Sequence, residues 1–209
     1  LDNYRELLDL DDKYSGYQKV AANVIAMDGT NWFSSFTIDK GSKEGIKKGM
    51  NVIAGSGLVG IVTDVGPNFA KVRSIIDDSS NVSSMVLTTK DNFNVGGSLK
   101  SMNQDKVLPF TELRDEDDKV KVGDPVVTSY VSDQYQEGIL IGYIASIEKN
   151  ANNLTKSGTI TPVVDFQHLR EVLVITTLKD TGEKELSSQK ASDTQTETQD
   201  NTETQKSQE

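Results

Sequence analysis

Between Val20 and Leu178 the chain offers about a dozen short apolar runs, each cut off by a cluster of turn residues, with no helix of ten or more residues between them. Val20–Met27 stops at Asp28-Gly29-Thr30-Asn31, and Val72–Ile76 at Asp77-Asp78-Ser79-Ser80-Asn81. The runs are rich in Val, Ile and Thr and read as strands. Parallel strands need long crossovers, usually helical, so antiparallel pairing is the reading left. A dozen short strands laid out flat would leave several unpaired edges, and curling them into two small closed barrels removes most of these. In Leu58–Val65, residues Val59, Ile61, Thr63 and Val65 alternate onto one face. Sixteen glycines against four prolines suit many tight turns, and Gly41, Gly45, Gly49, Gly57 and Gly60 are read as turn or corner positions.

The expected division is a first barrel over 18–100 and a second over 101–179, with the polar stretch Lys100–Lys106 as the junction. A strand crossing from one barrel to the other is left open. Residues 1–17 read as a short helix that Gly16 ends, with Leu7, Leu10, Tyr14 and Tyr17 along one seam and Leu1 a heptad before Leu8. That seam either pairs two chains as the stub of a coiled coil or packs on its own domain, and the dimerising reading is preferred. Residues 180–209 contain only Leu186 and Ala191 as aliphatic side chains, so they are expected to be disordered.

The net charge is −10, and half of it falls in the last thirty residues, which hold eight acids and three lysines. An acidic body repels phosphate backbones, which argues against nucleic-acid binding. Zero cysteines exclude disulfides and thiolate metal sites, and one histidine excludes two-histidine sites. A catalytic triad would have to use His168, with Ser129 the most suggestive serine. Yet Gly123-Asp124 is followed by Pro125-Val126 where a chymotrypsin-like protease has Ser-Gly. Asp115-Glu116-Asp117-Asp118 has Val120 and Val126 where an EF-hand needs Gly and Glu, so it reads as a solvated turn. Neither a catalytic constellation nor a cofactor-binding pattern emerges. No apolar run of eighteen residues is present, and the chain opens at Leu1 inside a helical pattern, so it reads as an excised fragment, which leaves an upstream anchor open.

Read together, six segments resemble the MreC family of rod shape-determining proteins. They are Asn31-Trp32 with Ile38-Asp39-Lys40-Gly41-Ser42, Gly45-Ile46 through Gly49-Met50-Asn51-Val52, Gly57-Leu58-Val59-Gly60, Gly123-Asp124-Pro125-Val126-Val127-Thr128-Ser129, Gly138-Ile139-Leu140-Ile141-Gly142, and Pro162 through Asp165-Phe166 to Leu169 with Val172-Leu173-Val174. Tyr130 departs from the pattern by standing where the family usually has glycine. The acidic Ser/Thr/Gln-rich tail is of the kind seen in Gram-positive, streptococcus-like lineages. The resemblance implies a single-pass membrane protein whose two barrels lie outside the membrane. It also implies a non-catalytic scaffold of peripheral peptidoglycan synthesis. Implied partners are MreD, the SEDS glycosyltransferase, its class B penicillin-binding protein, and further copies of the chain as a dimer or filament.

A glycan- or wall-binding surface module is the alternative, and a β-barrel hydrolase using His168 a more distant one. Binding hot spots are usually aromatic anchors, so Trp32, Phe33, Phe93, Tyr130 and Tyr135, all at expected strand ends or loops, are candidates for a partner interface, with burial in the core as the competing reading.

Overall fold

The computed structural model describes residues 14–29, 32–55, 57–151 and 154–180. The strands β1 (Lys19–Met27), β2 (Ser35–Ile38), β3 (Asn51–Ala54), β4 (Gly57–Val65) and β5 (Ala70–Ser74) come first. Then follow β6 (Asn81–Val86), β7 (Asn92–Gly96), the helix α1 (Leu99–Asp105), β8 (Leu108–Leu113), β9 (Pro125–Thr128), β10 (Leu140–Lys149), β11 (Lys156–Pro162) and β12 (Glu171–Ile175). They close into two antiparallel barrels with neighbour orders β1-β12-β3-β4-β5-β2 and β10-β11-β8-β7-β6-β9. The mainly β architecture with two small barrels is therefore as expected. The expected tail lies, beyond Asp180, outside the described residues.

The barrels do not divide at residues 100 and 101. The chain leaves the first barrel after β5, builds the whole second barrel from β6 to β11, and returns as β12 to seal the first between β1 and β3. Lys100–Lys106 is not a junction but mostly the helix α1, inside the second barrel's run. The Ser98 hydroxyl caps it by accepting from the Ser101 amide at 3.1 Å, and Met102 is buried. The true crossings are 75–80 and 163–170. Periodicity could not locate them, because β12 pairs with a strand some 150 residues earlier through backbone bonds alone.

Phe36, Ile38, Val52, Val62, Val72 and Val174 fill the first barrel, and Val82, Val86, Leu108, Phe110, Val126 and Ile160 the second, all at 0–1% exposure. Each such side chain contributes roughly 2 kcal/mol on burial. Gly45 and Gly49 take left-handed conformations in turns, as read from the sequence. Gly60 instead lies within β4, opposite Ser74. A Cβ there would sit 2.0 Å from the Arg73 carbonyl oxygen, so the two strands can approach only because this residue is glycine. Gly60→Ala is expected to cost about 2 kcal/mol by forcing β4 off β5, read as a lower urea midpoint.

The alternation read for Leu58–Val65, with Val59, Ile61, Thr63 and Val65 on one face, does not separate a buried side from a free one over the first six residues. Leu58 and Val62 are buried inside the barrel, but Val59 (0%) and Ile61 (7%), on the other face, are buried as well. The outer wall formed by β12, β3 and β4 is covered by the second barrel, and this arrangement decides which surfaces remain free.

Candidate partner-binding site

The five aromatic residues expected at a partner interface separate into three environments. Phe93 (5% exposed) is core: its ring centroid lies 5.0 Å from that of Phe110 inside the second barrel. Trp32 (6%) and Tyr135 (3%) are also buried, so neither is an anchor for another molecule. They anchor an interface within the chain. The Trp32 indole donates to the Asn103 side-chain oxygen on α1. Tyr135, on the loop between β9 and β10, lies near Arg73 of β5, and burial pushes its phenol up to about 12. For Trp32, Phe93 and Tyr135 the competing reading, burial within the chain, is the one observed, because strand-end position does not distinguish an internal contact from an external one. Tyr130 is 54% exposed and takes no left-handed backbone conformation, so tyrosine in place of glycine is accommodated without strain. Phe33 is half-buried and stacks edge-on against Phe36 at 6.1 Å.

The joint between barrels is polar at its centre. Asn51 on β3, 2% exposed, donates to the Gln134 carbonyl at 2.9 Å and accepts from the Gln136 amide at 2.8 Å. Gln136 in turn donates to the Thr177 carbonyl at 3.0 Å. Beside this clamp Gly57 leaves room for Val163, whose methyl carbon would be 2.3 Å from any Cβ at that position. Sequence reading placed Asn51 only in a family motif and assigned it no role, because a clamp across 83 residues has no local pattern. Asn51→Ala leaves the buried Gln136 amide and the part-buried Gln134 carbonyl without this partner and is expected to cost about 2 kcal/mol, measured by chemical denaturation.

With that wall covered, the first barrel presents apolar surface on the outer side of β1 and, singly, at Phe69 on the turn between β4 and β5. Ile25 is 59% and Met27 40% exposed. With Val24, Phe33 and Leu169 they line an open groove of about 500 Å³, bordered by Asn23, Arg170 and Glu171. Phe33 is thus the sequence-predicted interface residue that this groove includes. Ile25 and Met27 were missed because an exposed aliphatic side chain in a strand has the same sequence signature as a buried one, whereas Leu169, 7% exposed on the crossing into β12, was noted only within a family motif.

Of the residues expected on the dimerising seam, Leu1, Leu7 and Leu10 lie outside the described residues. Tyr14 is committed to its own chain: it is 7% exposed, and its hydroxyl accepts from the Leu140 amide at 3.0 Å. Tyr17 is half-buried, with its hydroxyl 3.5 Å from the Glu137 carbonyl. These two tyrosines follow the packed alternative rather than an exposed seam.

The residues considered for catalysis are separately engaged. His168 Nδ1 lies 2.7 Å from Asp165 Oδ2 on an exposed turn. Burial would raise the Asp165 carboxyl, but the bonds from His168 and the Gln167 amide hold it below the usual range. Ser129 is fully buried and bonds the Asn92 side chain in the second barrel. The acidic turn is only partly solvated. Asp115 is 7% exposed and bonds Lys156 at 2.6 Å. No cluster of metal-ligating side chains occurs among the described residues.

Residues 24–176 match the model for the barrel core of the rod shape-determining protein MreC. The cell shape-determining protein MreC of Listeria monocytogenes is 34% identical over 173 residues, covering 82% of this chain and 58% of its own length. This chain therefore spans somewhat over half of that curated relative. Among solved structures, MreC of Listeria monocytogenes superposes with a TM-score of 0.68 at 32% identity, covering 86% of this chain and 89% of that one. A complex between Penicillin-Binding Protein (PBP2) and MreC from Helicobacter pylori also matches, with a TM-score of 0.57 at 12% identity, covering 77% of this chain and 100% of that one. At that identity the likeness is one of fold.

Proposed function

The chain belongs to the MreC family of rod shape-determining proteins, and from that premise we propose that it is a non-catalytic scaffold which holds a cell-wall synthase at the β1 groove. The observation that carries this reading is the exposure of Ile25 and Met27 on a barrel whose opposite wall is buried against its neighbour. Two barrels clamped at Asn51 form a firm frame, and a firm frame can present one groove in a fixed direction and favour one state of a bound partner. Exposed apolar surface rimmed by polar residues is a usual mark of protein binding.

A class B penicillin-binding protein is the partner best supported, because the Helicobacter pylori relative has been solved in complex with PBP2. MreD and the SEDS glycosyltransferase belong to the same proposal through the family, as does pairing of two chains through residues that precede Tyr14. Among the described residues no helix is long and apolar enough to cross a membrane. The proposal places the anchor upstream and these barrels on the outer side.

A photo-crosslinking amino acid in place of Ile25, in the full-length protein in cells, tests the reading. The expected adduct is with the class B synthase, and it is absent when the crosslinker replaces exposed Lys71 on the same barrel. Equal adducts from both positions, or none from Ile25, would sink it.

A further inference from the structure

Strand β1 is longer than the partner on one of its sides. Its register with β12 runs from Lys19 opposite Ile175 to Asn23 opposite Glu171 and stops there. One more bond follows, from the Val24 amide to the Arg170 carbonyl at 2.7 Å. Past it β1 keeps only β2, through Ala26 opposite Thr37 and Met27 opposite Phe36, with a register shift between Val24 and Ala26. Among the described residues no backbone group pairs with Ile25–Met27 on the side that β12 has left. A barrel that is otherwise closed therefore carries a short open edge, and an open edge is a template for another strand.

This edge is one wall of the groove, and Phe33 and Leu169 help to line the space beside it. Where β12 begins, Glu171 holds its Oε2 shielded from solvent with no hydrogen-bond partner. Arg170, next in sequence, is exposed and forms no bond with it. A shielded carboxylate oxygen without a donor is costly, and a cationic donor arriving with a ligand would relieve that cost.

We propose that the groove takes an extended, basic segment of the partner, added as a strand along Ile25–Met27 in the track that β12 vacates. Main-chain bonds to the open edge supply affinity. Alternate apolar side chains of the segment pack on Ile25, Phe33 and Leu169, and a Lys or Arg pairs with Glu171. This rests on the groove being the partner site and adds how the partner binds and what chemistry it brings.

The test titrates the isotope-labelled full chain with the probe acetyl-Thr-Val-Thr-Val-Lys-amide, followed by NMR and amide exchange. Shifts and added protection are expected at Ile25–Met27, with binding weakened about tenfold by Glu171→Gln. The same probe N-methylated at alternate residues keeps its side chains and charge but loses one row of donors, and it is expected not to bind. Equal binding by the N-methylated probe, shifts confined to another surface, or no shift at millimolar probe would overturn strand addition. Indifference to Glu171→Gln would overturn the basic residue. If unlabelled chain moves the same amides, the occupant is a second copy and the partner assignment falls. An Ile25 crosslink to the synthase that persists while the probe fails leaves the scaffold reading standing and removes only the strand. A probe that binds as expected without that crosslink does the reverse.

Discussion

Asp115→Ala is expected to lower stability by about 3 kcal/mol, because it takes from a buried ammonium group its one buried carboxylate partner. Asp115 Oδ2 receives Lys156 Nζ at 2.6 Å and the Val120 amide at 3.0 Å, while Oδ1 receives the Lys119 amide at 2.8 Å. Lys156 is itself only 8% exposed. Its other carboxylate, Asp118 at 2.5 Å, lies on the exposed side of the turn and is screened by water. Removing Asp115 therefore leaves Lys156 with a weak partner and two amides with none. The loss is read as a shift of the denaturant midpoint with an unchanged slope. A double variant, Asp115→Ala with Lys156→Met, is expected to recover much of it, since the penalty is that of an uncompensated charge rather than of missing packing. If the double variant is no better than the single one, the ion pair is not the cause.

The same pair sets a pH dependence. Burial alone would raise the Asp115 carboxyl, but the Lys156 bond, the amides of Lys119 and Val120 and the Lys156 charge overrule it and hold it below its ordinary 3.8. A carboxylate whose folded value is depressed adds stability that is present above the unfolded value and lost as pH falls through the folded one. Wild type is thus expected to lose stability below about pH 4 through this group, and Asp115→Ala to lack that component of the decline. At the other end burial would lower Lys156, yet the bonds it donates to Asp115 and Asp118 raise it above 10.5. Its contribution is full below that value and disappears as pH rises beyond it.

Phe166→Ala is expected to cost about 4 kcal/mol through the cavity it opens, which lowers the melting temperature by roughly 10 °C. Phe166 is 1% exposed and sits on the crossing that returns the chain to β12, where its carbonyl accepts from the Phe33 amide at 2.9 Å. It lines a cleft of about 350 Å³ together with Trp32 of the first barrel's loops and Met102 of α1. The cavity therefore falls at the joint rather than inside either barrel. A single cooperative transition at lower temperature is the expected calorimetric result. A loss below 1 kcal/mol would mean that the joint closes over the gap.

Phe166 also shows how far local reading reaches. In the sequence the pair Asp165-Phe166 reads as a strand end with Phe166 buried and Asp165 capping the following turn. Phe166 is buried and Asp165 accepts from the Gln167 amide at 2.9 Å, but the strand itself ends earlier, at Pro162. Asp115 was not legible. One acid among four in Asp115–Asp118 looks like its neighbours until Lys156, 41 residues away, is brought beneath it. The groove was half legible. Phe33 announced itself as an aromatic at a strand end, whereas Ile25 and Met27 belong to a run that reads as buried until the partner strand ends early.

The sequence by itself determined that the chain is built of short antiparallel strands, where most turns fall, that Phe166 is buried, and which family motifs it carries. Those properties depend on residues within a few positions of one another, through backbone conformation and side-chain alternation. Only the tertiary structure decided that β12 seals the first barrel, that Asn51 clamps the second onto its outer wall, and that Trp32 and Tyr135 face inward. Each of these is a pairing across tens of residues or more, made by groups whose local surroundings are the same whether or not the pairing forms.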